Sequence, residues 1–284
     1  MMDKKSLITV NIAVLLFGMA GLFAKWLDIP AVGITFGRVF FSSIALLIFS
    51  LLTKQDIKVK DRKDMILLII AGIILAVHWW SFLYSIQISS VAIGTITFSS
   101  FPLFVTLLEP IFFDEELHKK DIVLCLLILL GVFITIPHFS LENQVFQGVI
   151  VGMLSSLAYT LLTLINRFFS HAYSSTTISL YEQSSATIVL LPTLFLVDMT
   201  ITINDIGLLI FLGVVTTALA HTLFISSLKQ IPAHIAGIIS SMESVYSIIL
   251  AIILFQEIPT EREIIGAIII ITTVILTQLK GEKV

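Results

Sequence analysis

Charge is scarce in this chain. Asp, Glu, Lys and Arg make up 12% of its 284 residues, against roughly 25% in a water-soluble domain. That shortage excludes an ordinary hydrated surface. A single cysteine, Cys125, excludes an internal disulfide and reads as a small core hydrophobe. No low-complexity tract or long polar run is present, so a soluble second domain is not expected. What the chain has instead is 57% hydrophobic residues and a mean hydropathy of +1.08. The bilayer is then the solvent, and helices are the expected spanning elements. The formal charge of −3 says little, because in a membrane protein the distribution of charge matters more than its sum.

A span needs about 20 apolar residues. Ten stretches qualify, near 7–24, 31–53, 65–86, 89–112, 121–138, 146–168, 176–197, 205–228, 233–255 and 263–279. The 7–24 stretch imitates a signal peptide but lacks an A-x-A site, and it is kept as the first helix. The breaks carry turn and cap chemistry: Asp28 with Pro30, Ser89-Ser90, Asp121, Asp205, Pro232 and Pro259. With the N-terminus placed inside, thirteen of the 16 Lys and Arg fall in inner segments. Lys25 and Arg262 fall outside, and Arg38 lies within a helix. This bias predicts two cytoplasmic termini and a multi-pass protein of a bacterial inner membrane.

The chain also carries a faint copy of itself. The stretch opening HWWSFLYSIQ at His78 and the one opening HTLFISSLKQ at His221 both read helix, break, helix, acidic turn, helix. A slip of about 142 pairs His78 with His221, Gly94 with Ala236, Pro102 with Ser244 and Glu115 with Glu257. Five helices per copy is odd, so the second copy enters the membrane upside down. Inverted halves can exchange shapes and expose a central site to either side in turn.

Several segments resemble the drug/metabolite transporter superfamily, specifically its EamA-type ten-helix transporters. Ser241-Met-Glu243-Ser-Val-Tyr246 followed by Phe255-Gln-Glu257 is similar to the family's "LEP…LGE" segment, and Ser100-Phe-Pro102 through Asp114-Glu115 is its first-half counterpart. Thr35-Phe-Gly-Arg38 resembles the second-helix "F-x-R-F" stretch, and Phe17-Gly18 with Lys25 the first-helix signature. Ser244 stands where the family has proline, and Phe101 stands at the first-half glutamate position. The resemblance implies an all-α integral membrane fold of ten helices, as two inverted five-helix repeats over 1–138 and 146–280. It implies a secondary carrier of small metabolites such as amino acids or amines, commonly an exporter, with its fifth and tenth helices peripheral. No cofactor and no metal is implied.

An ionisable group inside a span costs roughly 2.5–3.5 kcal/mol on insertion scales, so each needs a reason. Glu243 lies roughly 15 Å into the ninth helix. It can bind a cationic amine or exchange a proton, or else hold helices together through serine hydroxyls. Arg38, roughly 10 Å from its face, can hold a substrate carboxylate or lock onto Glu243. Glu182 is its pseudo-mate, at a different depth, with a structural or gating role. His78 and His221 occupy matching places and are either proton shuttles or packing residues. Trp79 and Trp80 point about 100° apart, so one of them at most faces a cavity. Tyr84, Tyr159 and Tyr246 complete a candidate aromatic box around a cation, against the alternative of an interfacial belt and ordinary packing. Thr95, Thr97, Ser99 and Ser100 are expected to face Ser240 and Ser241 across the repeat, and Pro102 and Pro192 to kink their helices.

The expected function is therefore a membrane carrier of a small solute, an exporter by alternating access, with protons as the candidate coupling ion. Its partners are the lipid bilayer and that solute, not nucleic acid, and the chain acts as a monomer or homodimer. The competing readings are an integral-membrane enzyme acting on lipid, or a channel or sensor. The sequence lacks H-E-x-x-H, a paired-aspartate diphosphate motif and G-x-S-x-G, so no catalytic residue is assigned.

Overall fold

The computed structural model describes residues 4–113 and 119–281. The acidic turn Asp114-Glu115-Glu116, the pairing of Glu115 with Glu257, and His118 lie outside the described residues. Among those described, the chain is all helix, and its helices group into ten passes. The first is α1 (Lys4–Ala20) with α2 (Phe23–Trp26), followed by α3 (Ala31–Leu52) and α4 (Arg62–Ile88). The fourth is broken into α5 (Val91–Phe98) and α6 (Phe101–Phe112), and the fifth is α7 (Lys119–Thr135). Then come α8 (Gln144–Ser170) and α9 (Ser175–Leu190), the latter ending in a 3-10 stretch, Leu191–Leu196. The eighth joins α10 (Ile203–Gly213) to α11 (Ala220–Ser227) through a π-helical stretch, Val214–Leu219. The ninth is α12 (Ala233–Ser240) with α13 (Met242–Phe255), and the tenth is α14 (Glu261–Gly281).

Seven of these passes are long and apolar enough to cross a membrane by length and composition, and Ile122–Thr135 in α7 is a shorter apolar stretch. The seventh pass falls short of the length expected from sequence. Its α-helix has 16 residues, rich in Ser, Thr, Glu and Gln, and Pro192 turns the remainder into a 3-10 helix. Helix starts are set by local capping. Asp61, Ser90, Asn143 and Ser174 each accept a backbone N–H of the first turn. Thr202 and Asp205 close a reciprocal capping box, so Thr202 opens α10 and Asp205 sits at its third position.

Hydrogen bonds between loops sort the passes' ends onto two faces. On one, Gln87 donates to Ile29 O (2.9 Å), Val91 N donates to Glu257 (2.7 Å) and Arg262 donates to Ile136 O (3.0 Å). On the other, Tyr173 donates to Asp64 (2.6 Å), Thr177 to Asp56 O (3.4 Å) and Ala233 N to Glu109 (2.8 Å). This second face carries Lys54, Lys58, Lys60, Arg62 and Lys63. The start of the fourth pass, Val91, is on the first face and the start of the ninth, Ala233, on the second, so these two passes run in opposite directions.

The surface is apolar, and the interior, though mostly apolar too, is where the ionisable groups inside the spans lie. Ile44, Leu47, Ile48 and Leu51 of α3 are exposed, whereas Arg38, His78, Glu109, Glu182, His221 and Glu243 are buried. The central helix α4 packs on α8 and α9, α1 on α11 and α13, and α7 on α14. Small residues permit the closest approaches. A Cβ at Gly72 of α4 would stand 2.5 Å from both Glu182 O and Ser185 Cβ of α9. Gly72→Ala should therefore destabilise the protein by about 1–3 kcal/mol. Gly207→Ala, with nothing within 4 Å, should be neutral or slightly stabilising. Thermal unfolding in detergent measures both, and equal midpoints would contradict this packing.

Candidate functional site

Two broken passes cross beside each other at the protein's centre. The fourth breaks at Ser99-Ser100, before α6, with Pro102 in the first turn. The ninth breaks at Ser241, before α13. A break frees backbone groups that lipid cannot satisfy, so protein must. Ser244 Oγ donates to Thr95 O (2.7 Å) and lies 2.5 Å from Ser99 Oγ. Ser156 of α8 donates to Thr97 O and Phe98 O, each 3.2 Å away. The expected hydroxyl pairing with Ser240 and Ser241 is not formed. Those two bond back to Ala236 O and Gly237 O of their own helix, because side chains next to a carbonyl three or four residues back satisfy themselves locally.

The break puts Glu243 in the first turn of α13. Its carboxylate lines a small cavity with Arg38, His78, Trp79, Tyr159, Phe17, Ala20, Phe82 and Phe98. The cavity leaves about 10 Å³ for a water-sized sphere, room for roughly one water. Among the described residues Glu243 has no hydrogen bond and no ion pair within 4.0 Å. Arg38 and Glu243 attract each other through space without forming a contact lock. Arg38 instead donates through Nε to Thr217 Oγ1 (3.1 Å) and lays its guanidinium over the Trp79 ring, 3.8 Å from the centroid. Its NH1 group and the Tyr159 hydroxyl have no partner. Thr217 is available because the π-helical stretch lets it bond back five residues, to Leu212 O (2.7 Å).

His78 is oriented by Ser155 of α8. Ser155 Oγ donates to His78 O (3.1 Å), so the short contact between His78 Nδ1 and Ser155 Oγ (2.8 Å) has the imidazole as donor. Nδ1 also lies 3.1 Å from Ser155 O. Both partners assign the proton to Nδ1 and leave Nε2 as an acceptor. Tyr159 stacks beside the ring at 4.6 Å.

Five residues named from the sequence, Trp80, Tyr84, Tyr246, His221 and Glu182, do not line this cavity. Trp80 stacks on Tyr84, 5.6 Å apart and nearly parallel, and Tyr84 is 39% exposed. Around α4 they lie about 100° and 140° from Trp79, with Trp80 half-buried and Tyr84 exposed. Tyr246 packs against Gly18, where an added Cβ would stand 2.6 Å from its own Cβ. His221 sits behind Trp79, edge to face at 5.8 Å, and bonds Glu182 Oε2 through Nε2 at 2.8 Å. The two repeat-related histidines thus have different partners, a serine for one and a carboxylate for the other.

The sequence reading overlooked Glu109. This buried residue of α6 takes four donors: Ala233 N (2.8 Å), His234 N (3.1 Å), His234 Nδ1 (2.6 Å) and the Arg167 guanidinium. It thereby caps α12 with a full negative charge at the positive end of the helix dipole. Arg167 also lies over the Phe113 ring at 4.4 Å. Across the protein, Glu257 does the converse. It accepts Val91 N at the start of α5 (2.7 Å), while Ser90 donates to Glu263 (3.0 Å). So the end of the fourth pass latches the start of the ninth on the lysine-rich face. The end of the ninth latches the start of the fourth on the other. The signal for Glu109 was present, a carboxylate inside a predicted span.

The sequence profile of the EamA-like transporter family matches residues 4–136 and again 146–279. An S-adenosylmethionine uptake transporter of Rickettsia bellii is 27% identical over 251 residues, 88% of this chain and 84% of its own. A pseudopaline exporter of Pseudomonas aeruginosa is 25% identical over 250 residues, 87% of this chain and 86% of its own. An uncharacterized transporter of Archaeoglobus fulgidus is 23% identical over 267 residues, 94% of each. A solved crystal structure superposes over 99% of both chains with a TM-score of 0.78 at 13% identity, a likeness of fold.

Glu109→Gln removes the charge that four donors share. It should cost about 3–5 kcal/mol, because the Arg167 guanidinium and the start of α12 lose a buried counter-charge. Adding Arg167→Met should restore part of that loss, a coupling of about 0.5–3 kcal/mol. Denaturant unfolding of the two single variants and the double variant measures it, and additive losses would show that the pair is not coupled.

Proposed function

Because this chain belongs to the EamA-like transporter family, whose members are transporters and not enzymes, we propose that it is a secondary-active carrier of a small solute bearing an ammonium group and a carboxylate. It works by alternating access, with 1–138 and 146–280 as the two halves that rock against each other. The observation that supports this reading is the unbonded Glu243 carboxylate in a small buried cavity, facing an Arg38 whose NH1 is also free. A buried carboxylate and guanidinium held apart are two half-sites for a zwitterion. Trp79, Phe98 and Tyr159 supply apolar and π surface between them. S-adenosylmethionine, named for the Rickettsia relatives, carries such an amino-acid group.

Glu243 can hold either a solute ammonium or a proton, and a site that both compete for exchanges one for the other. That competition is the proposed coupling, with Glu182 gating the lysine-rich side. The named relatives include an importer and an exporter. Export is the direction proposed here, driven by inward protons. The lysine bias places both termini and the lysine-rich face in the cytoplasm of a bacterial cell. A channel is disfavoured because the cavity has room for about one water, not for a continuous aqueous path.

Proteoliposomes loaded with labelled amino acids and diamines test this. The wild-type protein should release solute faster when an inward proton gradient is imposed. Glu243→Gln should lower that flux by at least about 100-fold, the scale of losing one buried charge partner, and flux at the wild-type rate would make the carboxylate merely structural. Cysteines at Gln55 and Asn143 should label from opposite sides, Gln55 from the cytoplasm; labelling from one side would overturn the orientation.

A further inference from the structure

Buried polar atoms without partners are concentrated in one region. Among the described residues, Thr163 Oγ1, both amide atoms of Asn166, Ser179 Oγ, Glu182 Oε1, both amide atoms of Gln183, His221 Nδ1 and Thr222 Oγ1 are buried with no hydrogen bond. They come from α8, α9 and α11, three helices that pack together. In lipid surroundings each such group bears its desolvation cost uncompensated. A single orphan can be a packing accident. Nine on three touching helices make a polar seam that an entering hydrogen-bonding group could pair.

Their position says where such a group enters. Asn166 directly precedes Arg167, the latch residue, near the end of α8 on the lysine-rich face. Ser179 and Glu182 lie roughly 6 and 10 Å into α9 from that same face. Trp79 separates the group from the central cavity. Arg38 lies over its ring, and His221 approaches that ring edge to face. The unpaired atoms therefore stand between the Glu109 latch and the solute cavity, where a passage must open if the lysine-rich side is to admit solute.

Their chemistry says what enters. Glu182 is a carboxyl group whose polar neighbours are the His221 imidazole and the Asn166 side chain, with no Lys or Arg acting on it. Two amide carbonyls and several hydroxyls add acceptors. That set suits a hydrogen-bonding cation and repels an anion.

We propose that Asn166, Ser179, Glu182 and Gln183 form a second solute site, between the central cavity and the lysine-rich face, which takes the ammonium group of the solute when the Glu109 latch releases. This rests on the alternating-access reading, since the site is shut in the closed form. Release also frees the end of α8, so Asn166 and Arg167 move as one element.

The test replaces Cys125 by serine and introduces Ser179→Cys, a near-isosteric change, with Gln183→Cys as a second variant. Each is reconstituted and treated with cationic 2-aminoethyl or anionic 2-sulfonatoethyl methanethiosulfonate, with Gln55→Cys as the accessible control. The expected result is labelling by the cationic reagent at least about 10-fold faster than by the anionic one, a ratio typical of a charged cleft. Adding Glu109→Gln should accelerate it further. Equal rates for the two reagents would overturn the cation assignment. No labelling at either position, with or without Glu109→Gln, while Gln55→Cys reacts, would overturn the passage. Solute flux in the same vesicles separates the two readings. Flux without labelling removes the second site and leaves the carrier; labelling without flux does the reverse.

Discussion

In hydrocarbon every backbone N–H and C=O must find a partner inside the protein. That constraint governs this structure, because two of its passes are broken midway and two begin where another ends. The chain meets it with side chains. Hydroxyls of Ser99, Ser156 and Ser244 satisfy the breaks, and carboxylates of Glu109 and Glu257 satisfy the helix starts. Remove those groups and neither the break nor the cavity beside it can persist. The site is thus a by-product of how unpaired backbone is managed, since the same break that needs capping also delivers Glu243 to the protein's centre.

The two latches are not equal. Glu109 takes four donors, one of them a guanidinium and another an imidazole. Glu257 takes the backbone N–H of Val91, and Glu263 assists it through Ser90. All of these bonds have a carboxylate acceptor and are charge-assisted, but Glu109 gathers four donors, a guanidinium among them, where Glu257 takes one, so the closure on the lysine-rich face is the tighter. Behind it lie the unpaired atoms of α8, α9 and α11, which oppose that closure. A rocking carrier has to hold two conformations of similar free energy, and a strong latch set against a poorly paired interior is one way of bringing them closer.

Much of this was legible in the sequence. Hydropathy, capping residues and lysine placement laid out the passes, and the cost of burying charge singled out Arg38, Glu243, Glu182 and the two histidines. The separation of Trp79 from Trp80 followed from helical geometry. What could not be read was which buried groups meet. Glu182 pairs with His221, 39 residues away, and Arg38 with Thr217, 179 residues away. Sequence symmetry suggested that His78 and His221 would behave alike. Symmetry of position does not carry over to neighbours once the halves have diverged, and Ser155 and Glu182 are unrelated residues. An aromatic within a span looks functional, but Tyr84 is exposed beside Trp80 and Tyr246 is half-buried against Gly18, both outside the cavity lining. Glu109 has a role that no spacing in the sequence signals, because it depends on a partner 124 residues distant.

The wide turn at Val214–Leu219 has a consequence for how such a chain can change over time. One surplus residue there sets the rotation of everything that follows in the eighth pass. Excising a single amino acid would swing α11 by about 100°. Thr217 would leave the guanidinium, and the imidazole of His221 would turn toward lipid in the same stroke. Substitutions between Leu212 and His221 can accumulate one at a time, but a change in length there would dismantle two contacts at once, so the spacing of this segment is held more tightly than its letters.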